Sequence, residues 1–285
     1  MSDQKQELGI RLNKYLASCG IGSRRKCDEL IKKGGVVVNG KVCSDLSTTV
    51  TEDDFVKIGR SRVIPRDTTT ILLHKPKGLI CTKDDELQRE TIYELLPPNM
   101  RHLNHVGRLD QDSEGLLVMT NDGDLAQELS HPKKKIEKEY LVTVNQAFSN
   151  EVLDQFLKGI WTGEAKAHAK AVKRLSPRRF LIILETGLKR QIRMMCKAAH
   201  LNVVKLVRIR IGHVTGGGLE PGRFSELDAH DIELLMRNPK TDKAYRTKAT
   251  LKARPIAETK RKTARKRPLK TALPKKKTFN KRRLS

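Results

Sequence analysis

The order of apolar and polar residues predicts an amino-terminal module over residues 8–66 that begins with two short helices. Two sets of apolar residues have helical spacing: Ile10, Leu12, Tyr15 and Leu16, followed by Cys27, Leu30 and Ile31. Gly20 and Gly22 separate the two sets, and Ser23 is placed to cap the second helix. The β-branched run Val36–Val38 and the dipeptide Asn39-Gly40 then predict a hairpin with a type I′ turn.

Residues 70–238 intersperse apolar strands with helical segments and are predicted to form a second domain. Strands are predicted over residues 70–74, 116–119, 140–144, 180–184 and 203–211. Helices are predicted over residues 125–129 and within residues 185–196, the latter with an inward face of Ile192, Met195, Cys196 and Ala199. Because these elements do not repeat as regular βαβ units, the sequence predicts an α+β fold with a mixed, mostly antiparallel sheet.

Positive charge is concentrated at the carboxyl end of the chain. The 285 residues have a formal net charge of +25, and residues 240–285 contain 19 of the 58 Lys and Arg but only two of the 33 acidic residues. The segment 239–285 has no apolar period and is predicted to be a disordered basic tail. A basic body with a more basic tail implies a polyanionic partner, either nucleic acid or an anionic membrane surface.

The sequence gives no support for a membrane segment or a metal site. No stretch approaches the roughly 18 to 20 apolar residues that a spanning helix needs, and residues 1–25 contain no apolar core of a signal peptide. We therefore expect a cytoplasmic protein whose partner is nucleic acid. The five cysteines show no CxxC spacing and are expected to be reduced thiols: Cys19, Cys27, Cys43, Cys81 and Cys196. Neither a metal nor another cofactor is predicted.

The stretch from His105 to Gly123 contains the strongest candidate for chemistry. It places Asp110 between a Gly-Arg-Leu lead-in and a polar turn that is followed directly by an apolar strand. A carboxylate on a short loop that enters a buried strand is held by rigid neighbours, as a catalytic group requires. Asp residues in such loops also commonly act only as turn formers, so the loop alone does not assign a function.

The amino-terminal segment RLNKYLASCGIGSRRKCDELIKKGGVVVNGKVC resembles the S4 RNA-binding module. Its small residues lie beside a cationic set: Arg11, Lys14, Ser23, Arg24, Arg25 and Lys41. Such a module recognises RNA shape and phosphates, which agrees with a basic surface that offers few aromatic side chains. We expect these six residues to bind RNA, together with Arg108 and Arg190 of the second domain.

Three further motifs, HVGRLDQDSEGLLVMTNDGDL, KEYLV and TGLKRQIRMM, resemble the RsuA/Rlu family of RNA pseudouridine synthases. The resemblance covers residues 10 to about 230 and implies a pseudouridine synthase domain after the S4 domain. It implies that Asp110 is the nucleophile, that Tyr140 stacks on the target uracil and that Arg193 pairs with Asp110. Arg190-Gln191, where many relatives have His-Gln, and the basic tail are most similar to a branch that acts on 23S, the large-subunit, rRNA.

The chemistry of this reaction fits the residues without a cofactor. The N1–C1′ bond of a uridine must break and the base must rejoin the sugar through C5, for which one carboxylate that attacks C1′ or C6 suffices. A nearby guanidinium would keep Asp110 ionised in a pocket that excludes water. A paired uridine must first be extruded, and binding energy from the S4 module can offset that cost.

Two other functions remain open from the sequence. The same chemistry could act on small-subunit (16S) rRNA or tRNA, because target choice depends on RNA shape more than on a readable motif. Alternatively, the chain could be an RNA-binding ribosome assembly factor without activity, for which the S4 module and tail would suffice. The presence of Asp110, Tyr140 and Arg193 together favours an enzyme. Nothing in the sequence requires more than a monomer.

Overall fold

The computed structural model describes residues 9–239. The predicted basic tail therefore lies outside the described residues, apart from Pro239. Six α-helices occur in the described part: α1 (Leu12–Ser18), α2 (Arg24–Lys32), α3 (Gly123–Ser130), α4 (Asn150–Lys158), α5 (Gln191–Ala198) and α6 (Ala229–Met236). Single 3₁₀ turns lie at Ile92–Leu95, Pro98–Met100 and Pro132–Lys134.

Seventeen strands occur in the same part of the chain. The first six belong to the amino-terminal module: β1 (Ile10–Arg11), β2 (Val36–Val38), β3 (Lys41–Cys43), β4 (Thr49–Val50), β5 (Val56–Ile58) and β6 (Ser61–Arg62). The next five are β7 (Thr70–Lys75), β8 (Asn104–Val106), β9 (Glu114–Thr120), β10 (Lys138–Val144) and β11 (Ile160–Trp161). The last six are β12 (Lys166–Ala167), β13 (Ala171–Ser176), β14 (Arg179–Leu184), β15 (Val203–Ile211), β16 (Val214–Thr215) and β17 (Phe224–Glu226).

The amino-terminal module packs α1 and α2 against a four-stranded sheet in the order β3-β2-β5-β6. Ser23 caps α2 as predicted, because its side chain accepts a hydrogen bond from the Lys26 backbone N–H at 3.3 Å. Asn39 and Gly40 have φ angles of 49° and 81°, as the predicted type I′ turn requires. Ile10 is not part of the first helix, since it pairs with Val50 between β1 and β4.

The larger sheet has the order β13-β14-β10-β15-β9-β7-β17, with β8 and β16 paired beside this path. Among the strands of this sheet in residues 9–239, β9 and β15 pair in parallel and the other pairs are antiparallel. The predicted α+β class with a mixed, mostly antiparallel sheet is therefore confirmed. Helices α3 and α6 cover one face, and α5 covers the other.

One row of register partners crosses the centre of this sheet. Lys75 is opposite Gly115, Gly115 is opposite Arg208, and Arg208 is opposite Tyr140. Residues directly opposite each other project from the same face of a sheet, so the side chains of Lys75, Arg208 and Tyr140 share a face. At neighbouring-strand spacings of about 4.8 Å, the row brings residues far apart in sequence within about 15 Å.

Gly115 is required by this arrangement. Its φ is +111°, and a Cβ at this position would lie 2.2 Å from the Arg208 carbonyl oxygen. Glycine alone tolerates both the backbone conformation and the close approach of β15. The glycine in the DSEGLL part of the motif thus lets β9 and β15 pair directly after the loop that contains Asp110.

The predicted helix within residues 185–196 begins later than expected. Arg190 has a left-handed φ of 52° and precedes the first helical residue, Gln191. The Gln191 side-chain oxygen accepts hydrogen bonds from Thr186 and Leu188, which stabilises a loop in place of the first helical turn. Arg190 and Arg193 therefore do not lie on one helical face. The sequence analysis also missed α4, which buries Leu153 and Phe156.

Two ion pairs join the amino-terminal module to the second domain. Lys14 Nζ lies 2.8 Å from Asp124 at the start of α3, and Lys26 Nζ lies 3.4 Å from Asp84. All five cysteines are free thiols, and three of them are buried. None of the helices in residues 9–239 is both long and apolar enough to cross a membrane.

Candidate active site

Asp110 lies on the loop between β8 and β9. Gly107 turns the chain with a φ of 69°, Leu109 is buried, and the Ser113 backbone N–H donates to the Asp110 carbonyl at 3.0 Å. The buried leucine and the tight turn fix the backbone, while the Asp110 side chain keeps 35% of its surface exposed. A carboxylate in this position is both held and accessible to a substrate.

Lys75 supports the same loop from below. Its side chain is fully buried, and Nζ donates to the carbonyl oxygens of Ser113 at 2.8 Å and Gln111 at 3.5 Å. Burial lowers the pKa of Lys75, an effect that the nearby Cys81, Asp112, Asp110 and Glu114 oppose. A buried ammonium that binds loop carbonyls fixes the loop and adds positive charge beneath Asp110.

Two arginines approach the loop from the start of α5. Arg190 Nη1 lies 3.5 Å from Asp110 Oδ2, and Arg190 Nη2 lies 3.1 Å from Asp112 Oδ2. Arg193 Nη2 lies 3.2 Å from Asp112 Oδ2 and 2.9 Å from the Asp112 carbonyl oxygen. Burial raises the pKa of Asp112, but the hydrogen bond from Arg190 and the charges of Arg193 and Arg190 outweigh it, so the pKa is lowered.

The expected ion pair of Arg193 with Asp110 does not form in this structure. Arg193 bonds instead to the carbonyls of Asp112 and Val203, which hold its guanidinium one turn inside α5. The Asp112 carboxylate forms the ion pair with Arg193. The cation beside Asp110 is Arg190, which has a left-handed backbone conformation just before the helix. In this structure Arg190 thus fills the place expected of Arg193, and it was expected only to bind RNA.

Tyr140 lies on β10, on the face that bears Lys75. Its ring is half-buried and packs against the core cluster that contains Ile192 and Met195 of α5. The row of register partners places its Cα two strands from Gly115, within about 10 Å. Tyr140 is thus close to the end of the Asp110 loop and can present its ring to a base there.

The residues predicted to bind RNA are distributed over both domains. In the amino-terminal module Arg11, Arg25 and Lys41 are exposed, Ser23 caps α2, and Arg24 Nη2 lies 3.4 Å from Asn13 Oδ1. Lys14 is half-buried and forms the ion pair with Asp124. Arg108 is exposed two residues before Asp110. Their role in binding RNA stays a prediction.

Four residues of this region were not singled out by the sequence analysis. They are Lys75, Asp112, Lys138 and Arg208. Asp112 and Lys138 lie within the recognised motifs, two residues from Asp110 and Tyr140 respectively, so their proximity in sequence to these candidates was a usable signal. Lys75 and Arg208 lie outside these motifs and gave no such signal, because only strand register brings them to this face. Within residues 9–239 no three His, Cys, Asp or Glu side chains are grouped as metal ligands would be.

Comparison with protein families gives two matches. The family model described as RNA pseudouridylate synthase matches residues 69–198, and the S4 domain model matches residues 10–56.

Individual proteins match over most of the chain. The ribosomal large subunit pseudouridine synthase B of Bacillus subtilis (strain 168) is 35% identical over 231 residues, which are 79% of this chain and 95% of the relative. The dual-specificity RNA pseudouridine synthase RluF of Escherichia coli (strain K12) is 35% identical over 246 residues, 84% of each chain. A crystal structure of a pseudouridylate synthase superposes with a TM-score of 0.59 at 27% identity, covering 79% of this chain and 99% of its own.

Proposed function

Because the chain belongs to the RNA pseudouridine synthase family, we propose that it converts a specific uridine of large-subunit rRNA to pseudouridine. The observation that carries this proposal is the rigid loop that presents Asp110 to solvent between Lys75 and Arg190. The choice of RNA is supported by the B. subtilis relative, which is named for the ribosomal large subunit.

A second RNA substrate is supported by another relative. The E. coli RluF protein, similar over 84% of each chain, is named a dual-specificity RNA pseudouridine synthase. A shape-based S4 module would tolerate two RNAs that present the same local fold. In this second candidate function, the same active site also modifies a uridine in tRNA or small-subunit rRNA.

Asp110 is the nucleophile of the proposed reaction. Its carboxylate attacks C1′ of the target nucleoside and displaces the uracil, or it adds to C6 of the ring and the N1–C1′ bond breaks afterwards. In both routes the N1–C1′ electron pair stays with the uracil. After the base rotates, C5 bonds to C1′, the bond to Asp110 breaks and returns its electron pair to the carboxylate, and C5 loses its proton. Arg190 places a guanidinium 3.5 Å from the Asp110 carboxylate that begins this sequence, and the buried Lys75 ammonium holds its loop.

Tyr140 and Arg193 act on either side of the nucleophile. Tyr140 offers its ring face to the flipped uracil, and its phenol can help the C5 proton leave. Arg193 serves as a positioning residue, because it binds both the carboxylate and the carbonyl of Asp112. It thereby holds the residue that shares Arg190 with Asp110.

The remaining expectations form part of the same proposal. Residues 8–66 form the RNA-binding domain, residues 70–238 the catalytic domain, and residues 239–285 a basic tail that increases affinity for rRNA. Arg11, Arg25, Lys41 and Arg108 contact phosphates, while Lys14 and Arg24 exchange their present partners for RNA. The protein acts as a cytoplasmic monomer without a cofactor.

The test is pseudouridine mapping by carbodiimide adduct and primer extension, across the rRNA and tRNA of a strain that lacks the gene. The strain is complemented with the wild type, with Asp110→Asn or with Asp154→Asn, an exposed carboxylate of α4 that serves as the matched control. We expect one large-subunit site to vanish on deletion and to return with the wild type and Asp154→Asn only.

Each other result contradicts a different part of the proposal. If Asp110→Asn restores the site, Asp110 is not the nucleophile. If the site that depends on the gene lies only in tRNA or small-subunit rRNA, the large-subunit assignment is wrong. If no site depends on the gene, the chain acts as an RNA-binding assembly factor instead.

A further inference from the structure

Arg208 is a buried arginine that has no carboxylate partner in the part of the chain that the structure describes. Only 5% of its surface is exposed, its Nε donates to the Leu116 carbonyl oxygen at 2.6 Å, and its buried Nη2 has no acceptor among the described residues. A guanidinium stays charged at all relevant pH values, so burying it without an anion is costly. Such a group is retained where another molecule supplies the missing acceptor.

The next arginine along β15, Arg210, shows the carboxylate partners that a structural arginine has in this sheet. Arg210 is equally buried, and its guanidinium lies 3.0 Å from Glu137 and 2.7 Å from Glu139. The two arginines project from opposite faces of the sheet because β15 has a bulge between them. Arg210 is opposite Glu139, and Arg208 is opposite Tyr140, the next residue of β10. The sheet thus neutralises one arginine fully and leaves the other beside Tyr140.

Arg208 lies on the face of the sheet that carries the proposed reaction. It occupies the row between Lys75, which holds the Asp110 loop, and Tyr140. Its position opposite Gly115 means that no side chain projects from β9 between Lys75 and Arg208. A second cation, Lys138, precedes Tyr140 by two residues on β10 and shares its face. Neither Arg208 nor Lys138 forms an ion pair with a carboxylate of residues 9–239.

We propose that Arg208 is a catalytic residue whose Nη2 donates a hydrogen bond to O4 of the flipped uracil, an inference that rests on the proposed function. Negative charge develops on O4 by either route of the reaction. Cleavage of N1–C1′ delocalises the electron pair of N1 through the ring to O4, and attack on C6 moves the C5–C6 electrons through C4 to O4. A preorganised donor at that oxygen stabilises both intermediates.

The electrostatics of the second cation agree with this assignment. Burial and, next, the charge of Arg208 lower the pKa of Lys138 to about 8. An anionic base between Tyr140 and these side chains would relieve the repulsion between the two cations.

The test uses a transcript of the rRNA segment that carries the mapped uridine, under single-turnover conditions with saturating enzyme. Arg208→Met should slow conversion by about 100-fold or more, the loss typical of removing one preorganised donor. Its Kd for the transcript should stay within about threefold of the wild type, because the buried Nη2 donates to the base and not to phosphate. Arg179→Met, which removes an exposed arginine from the same sheet, is the matched control and should react at the wild-type rate.

Two substrate analogues identify the oxygen. Replacing O4 of the target by sulfur should slow the wild type by about 10-fold, but Arg208→Met by less than about threefold, since the lost hydrogen bond is already absent. Replacing O2 by sulfur should slow both proteins by the same factor. If Arg208 had only a structural role, each sulfur substitution would slow Arg208→Met by the same factor as it slows the wild type.

Different experimental results would contradict this inference alone or the proposed function as well. If Arg208→Met reacts within threefold of the wild type, or loses only RNA affinity, the inference is wrong while the proposed function stands. If its urea midpoint falls as far as that of Arg210→Met and the 4-thio effect is unchanged, Arg208 is structural and the inference is wrong. A wild type that converts no uridine would overturn the proposed function and this inference together.

Discussion

The buried charge cluster around Arg210 allows a prediction of stability. Arg210 bonds to Glu137, to Glu139 and to the carbonyl oxygen of Gly212. Both glutamates are almost fully buried, and Lys170 Nζ lies 2.8 Å from the far oxygen of Glu137. In Arg210→Met, Glu137 keeps Lys170 as a cation, and Glu139 loses the guanidinium that neutralises it.

The expected cost follows from what Glu139 can do. It can stay ionised without a partner, for which breaking a buried pair costs about 3 to 5 kcal/mol. It can instead take up a proton, which costs a glutamate about 3.7 kcal/mol at pH 7. The cheaper route limits the loss, so we expect Arg210→Met to lower the free energy of unfolding by about 3 to 4 kcal/mol at pH 7.

The two routes differ in pH dependence, and urea unfolding measures both. If Glu139 is protonated in the folded variant, folding takes up a proton, and acid favours the folded state of the variant. The difference from the wild type should then shrink by about 2 kcal/mol between pH 7 and pH 5.5. Arg237→Met removes an exposed partner of Glu233 and should cost less than about 1 kcal/mol.

A loss below about 1 kcal/mol for Arg210→Met would refute the reasoning, because it would mean that the buried carboxylate does not need the guanidinium. A loss of the expected size that does not change with pH would show that Glu139 stays ionised and that the cost is not protonation.

Three further predictions follow from other sites. Gly115→Ala would place a Cβ 2.2 Å from the Arg208 carbonyl oxygen at a φ of +111°. It should lower the free energy of unfolding, measured in urea, by more than about 3 kcal/mol. A Cβ at Gly123 meets open space, so the control Gly123→Ala should change this free energy by less than about 1 kcal/mol. Burial raises the pKa of the Cys196 thiol to about 12, so mass spectrometry should find iodoacetamide on partly exposed Cys43 long before Cys196, and equal labelling of the native protein would contradict this. Burial lowers the pKa of Lys138 to about 8, so its unfolded form binds more protons between about pH 8 and pH 10.4. Wild-type stability should therefore rise relative to Lys138→Met over that range, by about 3 kcal/mol, and a difference that does not depend on pH would refute this prediction.

Local signals in the sequence predicted much of the amino-terminal module. The Ser23 cap and the Asn39-Gly40 turn form as expected, because each depends on the conformation of a few neighbouring residues. The main strands of the second domain were also found, since runs of β-branched and apolar residues have few alternatives. Helix α4 was missed although its apolar residues Leu153 and Phe156 are three apart.

The sequence analysis did not predict the contacts that depend on the turn before α5. Gln191 and Leu188 bond to each other and delay the start of α5, which leaves Arg190 free to reach Asp110. Arg193, which the motif associated with Asp110, binds Asp112. A motif identifies which residue types meet, but distances of one helical turn decide which atoms pair.

By itself, the sequence determined the class of fold, the order of the two domains, and Asp110 and Tyr140 as the candidates for chemistry, because these depend on local pattern and on motifs. Only the tertiary structure decided the partners of the charges. A single bulge in β15 gives Arg210 two carboxylates and leaves Arg208 none, although the two residues are separated only by Ile209. The physical reason is that side-chain direction in a strand alternates with every residue, so one extra residue reverses the face on which all later side chains lie.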